Sequence, residues 1–187
     1  MPKANGEGLD DRILNVSSTP EPWLRGPILG IPALLQPPAH AFVMAREDVT
    51  AALAGLTTEQ LWLEPHGATP LGFHLAHLSG STDRLLTYAR GEALSAAQRE
   101  ALVRERTLST TRPALADLLT AWHRTVEAAL KQLAATADET LLEPRLVGRA
   151  QLPSTVLGLL FHAAEHASRH TGQIVTTAKM VRAHGLA

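Results

Sequence analysis

From Ala39 onward, the chain is a series of segments rich in alanine and leucine that Gly and Pro residues separate. Apolar residues within these segments recur at spacings of three, four and seven, which is the periodicity of helices that bury one face. We find no strand-like alternation of apolar and polar residues and no internal repeat. The pattern therefore predicts an all-α protein in which amphipathic helices pack side by side.

Four segments are long enough to be the main helices of a bundle. Thr69 and Pro70 suit the N-cap and first helical positions of the second helix. The four segments run from Ala39 to near Gly55, from Thr69-Pro70 to Gly91, over residues 111–133, and from Pro153 to just before Gly185. A short polar helix is expected over residues 95–107. Together these elements predict a four-helix bundle.

Residues 1–38 differ from the rest because they contain seven of the 12 Pro residues. Repeated Pro removes backbone donors and prevents a long helix. We expect about the first ten residues to be loose. Residues 20–36 are too apolar for a free tail, so we expect an arm that packs on the same domain or on a partner subunit. The predicted organisation is a tail and arm over 1–38 and a bundle over 39–187.

Charge and composition exclude several classes of partner. The 187 residues carry 17 Lys and Arg against 18 Asp and Glu, so no basic excess is available for a nucleic acid. No apolar run approaches the ~18 residues that a membrane span needs. The N-terminus lacks the apolar stretch of a secretory signal, and there is no Cys for a disulfide or a thiolate metal site. We expect a cytoplasmic protein.

Three of the nine His residues lie on one predicted helix at intervals of four. Residues i and i+4 project ~40° apart and ~6 Å apart along the axis, so two imidazoles can reach one metal ion. His162 and His170 are too far apart for all three to bind the same ion. The spacing alone leaves two pairs open, His162 with His166 and His166 with His170.

A third ligand must come from elsewhere, and the second helix offers His74 and His77. Three imidazoles from two helices would leave positions on the ion for water and substrate, as in catalytic sites. Glu165 is expected near the site or as a surface charge. Asp83 and Arg84 on the second helix are expected in a surface or interhelical ion pair of little energetic weight. Gly172, inside the last helix, suggests that a neighbouring helix or a ligand approaches closely.

Two stretches, FHLAHLSGSTDRLLTYARG and LLFHAAEHASRHTGQIVTTAKMVR, resemble the DinB-like superfamily over roughly residues 39–184. The most specific parts are an aromatic residue four positions before a His and the pattern His-x-x-x-His-x-Gly-Gln-Ile. The resemblance implies a four-helix bundle, often a homodimer, with a divalent metal on three His. It places the ligands on His77, His166 and His170. The other candidates near the site are His74, His162, Glu165 and Gln173.

The resemblance also implies a function in outline. Related proteins include metal-dependent thiol S-transferases and a maleylpyruvate isomerase that uses a low-molecular-weight thiol. We therefore expect an enzyme of transferase or hydrolase type with nickel or zinc, a small-molecule substrate and a small thiol as a candidate co-substrate. The catalytic residues are left unassigned. The alternative is a non-catalytic helical module in which the His cluster binds metal for stability or sensing, or binds none.

Overall fold

The computed structural model describes residues 20–184, and most of them are helical. The helices are α1 (Gln36–Leu53), α2 (Thr58–Leu61), α3 (Leu71–Ala89), α4 (Ala96–Arg104), α5 (Leu108–Thr111), α6 (Leu115–Ala135) and α7 (Val156–His184). The predicted loose N-terminus and the helix stop before Gly185 lie outside the described residues. Within residues 20–184, no helix has both the length and the apolar character that crossing a membrane requires.

The four long helices, α1, α3, α6 and α7, share one hydrophobic core. Helices α1 and α3 each pack against both α6 and α7. The core is dominated by leucine, as expected from the apolar stripes in the sequence. Its largest fully buried side chains are Trp122, Phe42, Leu35, Leu53, Leu61, Leu71, Leu75, Leu78, Leu133, Leu141, Leu160 and Ile174. The helical class of the fold is therefore confirmed.

A small β-hairpin between α6 and α7 departs from the all-α prediction. Strands β1 (Pro144–Val147) and β2 (Leu152–Thr155) pair antiparallel. Each strand has only four residues and contains a Pro, which a two-stranded sheet tolerates because its outer edges need no ladder partner. The prediction that the chain contains no strand was therefore wrong in this segment.

The first residues of two helices also differ from the prediction. Pro70 is the N-cap of α3 and not its first helical residue. Helix α7 begins at Val156, three residues after the predicted Pro153, which pairs with Leu146 in the hairpin. Thr155 fixes this start because its Oγ1 accepts a hydrogen bond from the Gly158 amide at 3.0 Å.

The predicted short polar helix is confirmed as α4, which continues through a turn of 3-10 helix at Glu105–Thr107. Ser95 begins α4 with a capping box, in which its hydroxyl accepts from the Gln98 amide and the Gln98 side chain accepts from the Ser95 amide. Helix α4 and this 3-10 turn contact α3, which places Glu105 beside that helix.

The Pro-rich arm packs against α1 of its own chain. Arg25 makes a two-pronged ion pair with Glu47, with both N–O distances 2.7 Å. The Gln36 side chain accepts a hydrogen bond from the Ile28 backbone N–H and donates one to the Ile28 carbonyl. Several apolar arm side chains stay exposed, among them Trp23, Leu24, Leu29 and Leu34.

Candidate metal centre

The packing of α3 along α7 brings His77 next to His166 and His170. His166 and His170 are one helical turn apart on α7, so their rings lie on the same side of that helix. Their ring centroids are 4.5 Å apart. The centroid of His77 lies 5.3 Å from that of His166 and 4.8 Å from that of His170.

The three imidazoles converge on a common point. One ring nitrogen from each of His77, His166 and His170 lies within 4.8 Å of the other two. Nε2 of His77 lies 3.2 Å from Nε2 of His166. All three side chains are partly buried, which limits competition from bulk water without closing the site.

Glu105 anchors the far side of the His77 ring. Its Oε2 lies 2.8 Å from Nδ1 of His77, and its Oε1 accepts from Nη1 of Arg84 at 2.6 Å. The side chains of Arg84 and Glu105 are only 11% and 12% exposed. Burial raises the pKa of the Glu105 carboxyl, but the hydrogen bonds from His77 and Arg84 outweigh it and leave that pKa below its usual range.

A second His–His contact lies beside the first. Nδ1 of His74 is 3.1 Å from Nδ1 of His170, and His74 is only 7% exposed. One of these two nitrogens must donate and the other accept. When His170 donates, its other nitrogen keeps a free lone pair. His74, predicted as a near-site residue, therefore contacts the cluster directly.

Burial and mutual repulsion lower the pKa values of His74, His166 and His170, so these imidazoles are neutral near pH 7. Burial, followed by the charges of His166, His77, His74 and Arg169, lowers the pKa of His170 to about 4. Burial also lowers the pKa of His166 and that of His74, with repulsion from His77 as the next cause in both. A neutral imidazole has the lone pair that a metal needs, so these nitrogens are available as ligands.

The other near-site candidates lie further out. His162 is 51% exposed, and its Nδ1 faces Glu165 at 3.4 Å. Glu165 also pairs with Arg169 and is a surface charge, one of the two roles expected for it. Gln173 is exposed and lines a cavity of about 540 Å³ together with His74 and Arg169.

Two expectations from the sequence are narrowed by the structure. Within residues 20–184, no atom beyond the adjacent backbone of α7 lies within 4 Å of a Cβ built on Gly172, so the close approach of a neighbouring helix, one of the two alternatives, is not found there. Arg84 pairs with the partly buried Glu105 and not with Asp83, so of the two kinds of ion pair expected, surface or interhelical, it forms the interhelical one. Asp83 instead accepts a hydrogen bond from Gln98.

Sequence reasoning missed Glu105 and Gly80. Glu105 lies 28 residues beyond His77 in a polar segment, where it resembles any solvated charge. Gly80 faces the Arg84–Glu105 pair, since a Cβ there would lie 2.7 Å from Oε1 of Glu105 and 2.9 Å from Nη1 of Arg84. The one available signal was a Gly inside an otherwise helical pattern, which predicts close packing but not its partner.

The donor set fits a divalent transition metal. Neutral imidazole suits zinc, nickel, copper and iron, and a carboxylate on the outer nitrogen of a His ligand is typical of such sites. Within residues 20–184, no other group of at least three His, Cys, Asp or Glu residues has this convergence. His40 and His123 make separate contacts, with the Gly26 carbonyl and the Thr50 hydroxyl.

The fold and this cluster define a mostly helical protein with a three-histidine group that could hold a metal ion. A family model described as the DinB superfamily matches residues 41–174. The chain therefore belongs to the DinB superfamily, as its two histidine-bearing stretches predicted. A comparison with curated proteins finds no match.

Proposed function

We propose that the chain is a metal-dependent enzyme that holds one divalent ion on His77, His166 and His170 and acts as a thiol S-transferase or a hydrolase. The observation that carries the proposal is the approach of three imidazole nitrogens, from α3 and α7, to within 4.8 Å of one another. Nickel and zinc are the candidate metals. The proposal includes the description of α1, α3, α6 and α7 as a four-helix bundle.

The composition of the cluster favours catalysis over a closed structural site. Among the described residues, the group contains three His and no fourth His, Cys, Asp or Glu. Structural zinc sites usually have four protein ligands, whereas catalytic sites have three and an open position. A divalent ion bound here would supply Lewis-acid chemistry by lowering the pKa of a thiol or water that binds it.

The surroundings of the cluster support a small-molecule substrate. The cavity of about 540 Å³ beside His74 falls within the range of ~300–1,000 Å³ that is usual for ligand pockets. Thr69, Arg169 and Gln173 line it and offer polar groups to orient a substrate. Because the chain has no Cys, a reacting thiol would have to come from a second small molecule.

Turnover by the metal-loaded protein tests the enzyme claim. The protein is loaded with Ni²⁺ or Zn²⁺ and incubated with small thiols and electrophilic acceptors, and separately with activated esters. We expect turnover by wild type and by His123→Ala, a matched control outside the cluster, and a loss of at least tenfold in His170→Ala. No turnover at full metal occupancy would reject the enzyme claim, and equal turnover in both variants would reject the assignment of the activity to the histidine cluster.

The alternative, a metal that only stabilises the fold, is favoured by one observation. The three ligand candidates come from α3 and α7, so a bound ion would cross-link these two helices. His77 and His166 are 89 positions apart in the chain, so the cross-link would join distant segments. A chelator that lowers the melting temperature, in a protein without any turnover, would support this alternative. A melting temperature that neither chelator nor added metal changes would argue against metal binding.

We also propose a cytoplasmic homodimer. The exposed Trp23, Leu24, Leu29 and Leu34 of the arm support a self-association surface, because a second subunit could cover them. Multi-angle light scattering should give twice the 20.0 kDa chain mass. A monomer mass at micromolar concentration would contradict the dimer.

A further inference from the structure

We propose that Glu105, held by Arg84 in a gap left by Gly80, positions His77 as a metal ligand and thereby sets the metal affinity of the centre. This inference rests on the proposed metal site and deepens it. It adds a residue that does not touch the ion and acts through the His77 ring.

The Glu105 carboxylate determines which nitrogen of His77 carries the proton. Because Nδ1 of His77 lies 2.8 Å from Oε2 of Glu105, an ionised carboxylate requires Nδ1 to be the donor. The proton on a neutral ring is then on Nδ1, and Nε2 keeps its lone pair. Nε2 is also the atom that lies 3.2 Å from Nε2 of His166. The hydrogen bond thus directs the free lone pair of His77 into the cluster.

The orientation of the ring is fixed from a second direction by Phe73. The rings of Phe73 and His77 are stacked, with centroids 5.7 Å apart and an interplanar angle of 4°. Phe73 restricts the plane of the imidazole, and Glu105 restricts its rotation within that plane. A ligand held in this way loses little freedom when it binds an ion, which favours tight binding.

Arg84 holds the Glu105 carboxylate in place. Its guanidinium lies 2.6 Å from Oε1 of Glu105, the oxygen that His77 does not use. Both side chains are nearly nine-tenths buried, so water competes little for these bonds. Each carboxylate oxygen therefore has one defined partner, which is how an outer carboxylate orients a His ligand.

Gly80 provides the space that this arrangement needs. It lies on α3 between His77 and Arg84, where a Cβ would come within 2.7 Å of Oε1 of Glu105 and 2.9 Å of Nη1 of Arg84. An Ala would therefore push the ends of both side chains away from α3. An interior Gly weakens a helix, and the close approach of the ion pair gives a physical reason for its presence at this position.

Zinc affinity of full-length variants tests the inference. Zn²⁺ is titrated against a chromophoric chelator, and Co²⁺ binding is followed by its visible absorption. We expect Glu105→Ala to weaken Zn²⁺ binding by about 10- to 100-fold, the usual effect of losing an outer partner of a His ligand, and to change the Co²⁺ spectrum. Glu105→Gln, which keeps an acceptor oxygen but loses the charge, should fall between Glu105→Ala and wild type.

The matched control is Glu100→Gln, since Glu100 lies on α4 and is 69% exposed. It should bind Zn²⁺ as wild type does and leave the Co²⁺ spectrum unchanged. Gly80→Ala keeps every polar group but displaces Glu105, so it should also weaken Zn²⁺ binding, whereas Gly172→Ala should not. If Glu105→Ala does not fold, Gly80→Ala decides the question.

A folded Glu105→Ala protein with wild-type Zn²⁺ affinity and an unchanged Co²⁺ spectrum would overturn the inference. If Glu105→Ala does not fold, wild-type Zn²⁺ affinity in Gly80→Ala would overturn the inference instead. Failure of the proposed metal site is a different result, because wild type itself would then bind neither Zn²⁺ nor Co²⁺.

Discussion

Acid should destabilise the metal-free protein because its partly buried and buried histidines resist protonation. The pKa of His170 is lowered from 6.5 to about 4 in the folded chain. The unfolded chain takes up this proton as the pH falls below about 6.5, whereas the folded chain does not until about pH 4. The free energy of unfolding therefore decreases as the pH is lowered from about 6.5 to about 4. Above this window, His170 does not make it depend on pH. The lowered pKa values of His166 and His74 act in the same direction.

The magnitude follows from the shift at His170. One pKa unit corresponds to about 1.4 kcal/mol, so the whole shift from 6.5 to about 4 sets a ceiling of roughly 3 kcal/mol at pH 4. Partial exposure screens the effect, and pH 5 lies only part of the way through the window. We therefore expect His170 to account for a loss of about 1 kcal/mol between pH 7 and pH 5.

Urea denaturation of chelator-treated protein, followed by circular dichroism at pH 7, 6 and 5, measures this loss. His170→Gln should lose about 1 kcal/mol less than wild type over the same range. His123→Gln, which changes a histidine outside the cluster, should follow wild type. Equal losses in His170→Gln and wild type, or a stability that does not change between pH 7 and pH 5, would refute the reasoning.

Three substitutions test the local structure. Gly172→Ala should stabilise the protein by up to about 1 kcal/mol, because α7 gains a better helix former and, among the described residues, the added Cβ meets no atom within 4 Å beyond the adjacent backbone of α7. Gly72→Ala should destabilise it by about 1–3 kcal/mol, because the Cβ would lie 2.5 Å from the buried Trp62 ring. Thr155→Ala should cost about 0.5–2 kcal/mol through loss of the α7 cap. Urea midpoints at pH 7 measure all three.

Opposite signs in the two glycine substitutions provide an internal control. Both add one methyl group to a helix, so any general effect of Ala on helix stability is common to them. Loss of stability in Gly172→Ala would mean that a neighbour does approach that face of α7. A neutral Gly72→Ala would mean that the Trp62 ring can move, although its Nε1 donates to the Pro113 carbonyl at 3.1 Å. An unchanged urea midpoint in Thr155→Ala would mean that the Thr155 cap does not stabilise the start of α7.

Helix positions could be predicted from the sequence because they depend on local patterns. Leucine spacing and glycine stops located α1, α3 and α6 to within a few residues. The hairpin could not be predicted, because Leu146 and Leu152 both point to solvent and its strands show no apolar alternation. Pro153 was therefore interpreted as the start of a helix, whereas α7 begins three residues later at Val156, after the cap at Thr155.

The histidine cluster could be predicted only in part. Spacing on the last helix left two ligand pairs open, and the second helix offered both His74 and His77 as the third candidate. The resemblance selected His77, His166 and His170, and the structure brings these three together, although their role as ligands stays a prediction. Glu105 could not be found in this way, because its contact with His77 arises from the packing of α4 on α3.

Metal content per chain is the most direct test of the central proposal, a divalent ion on three histidines. Wild type and a His77→Ala, His166→Ala, His170→Ala triple variant are saturated with Ni²⁺ or Zn²⁺, freed of unbound metal and analysed by mass spectrometry of the elements. We predict close to one ion per wild-type chain and none in the folded triple variant. Wild type without metal, or a triple variant with as much metal as wild type, would contradict the proposal.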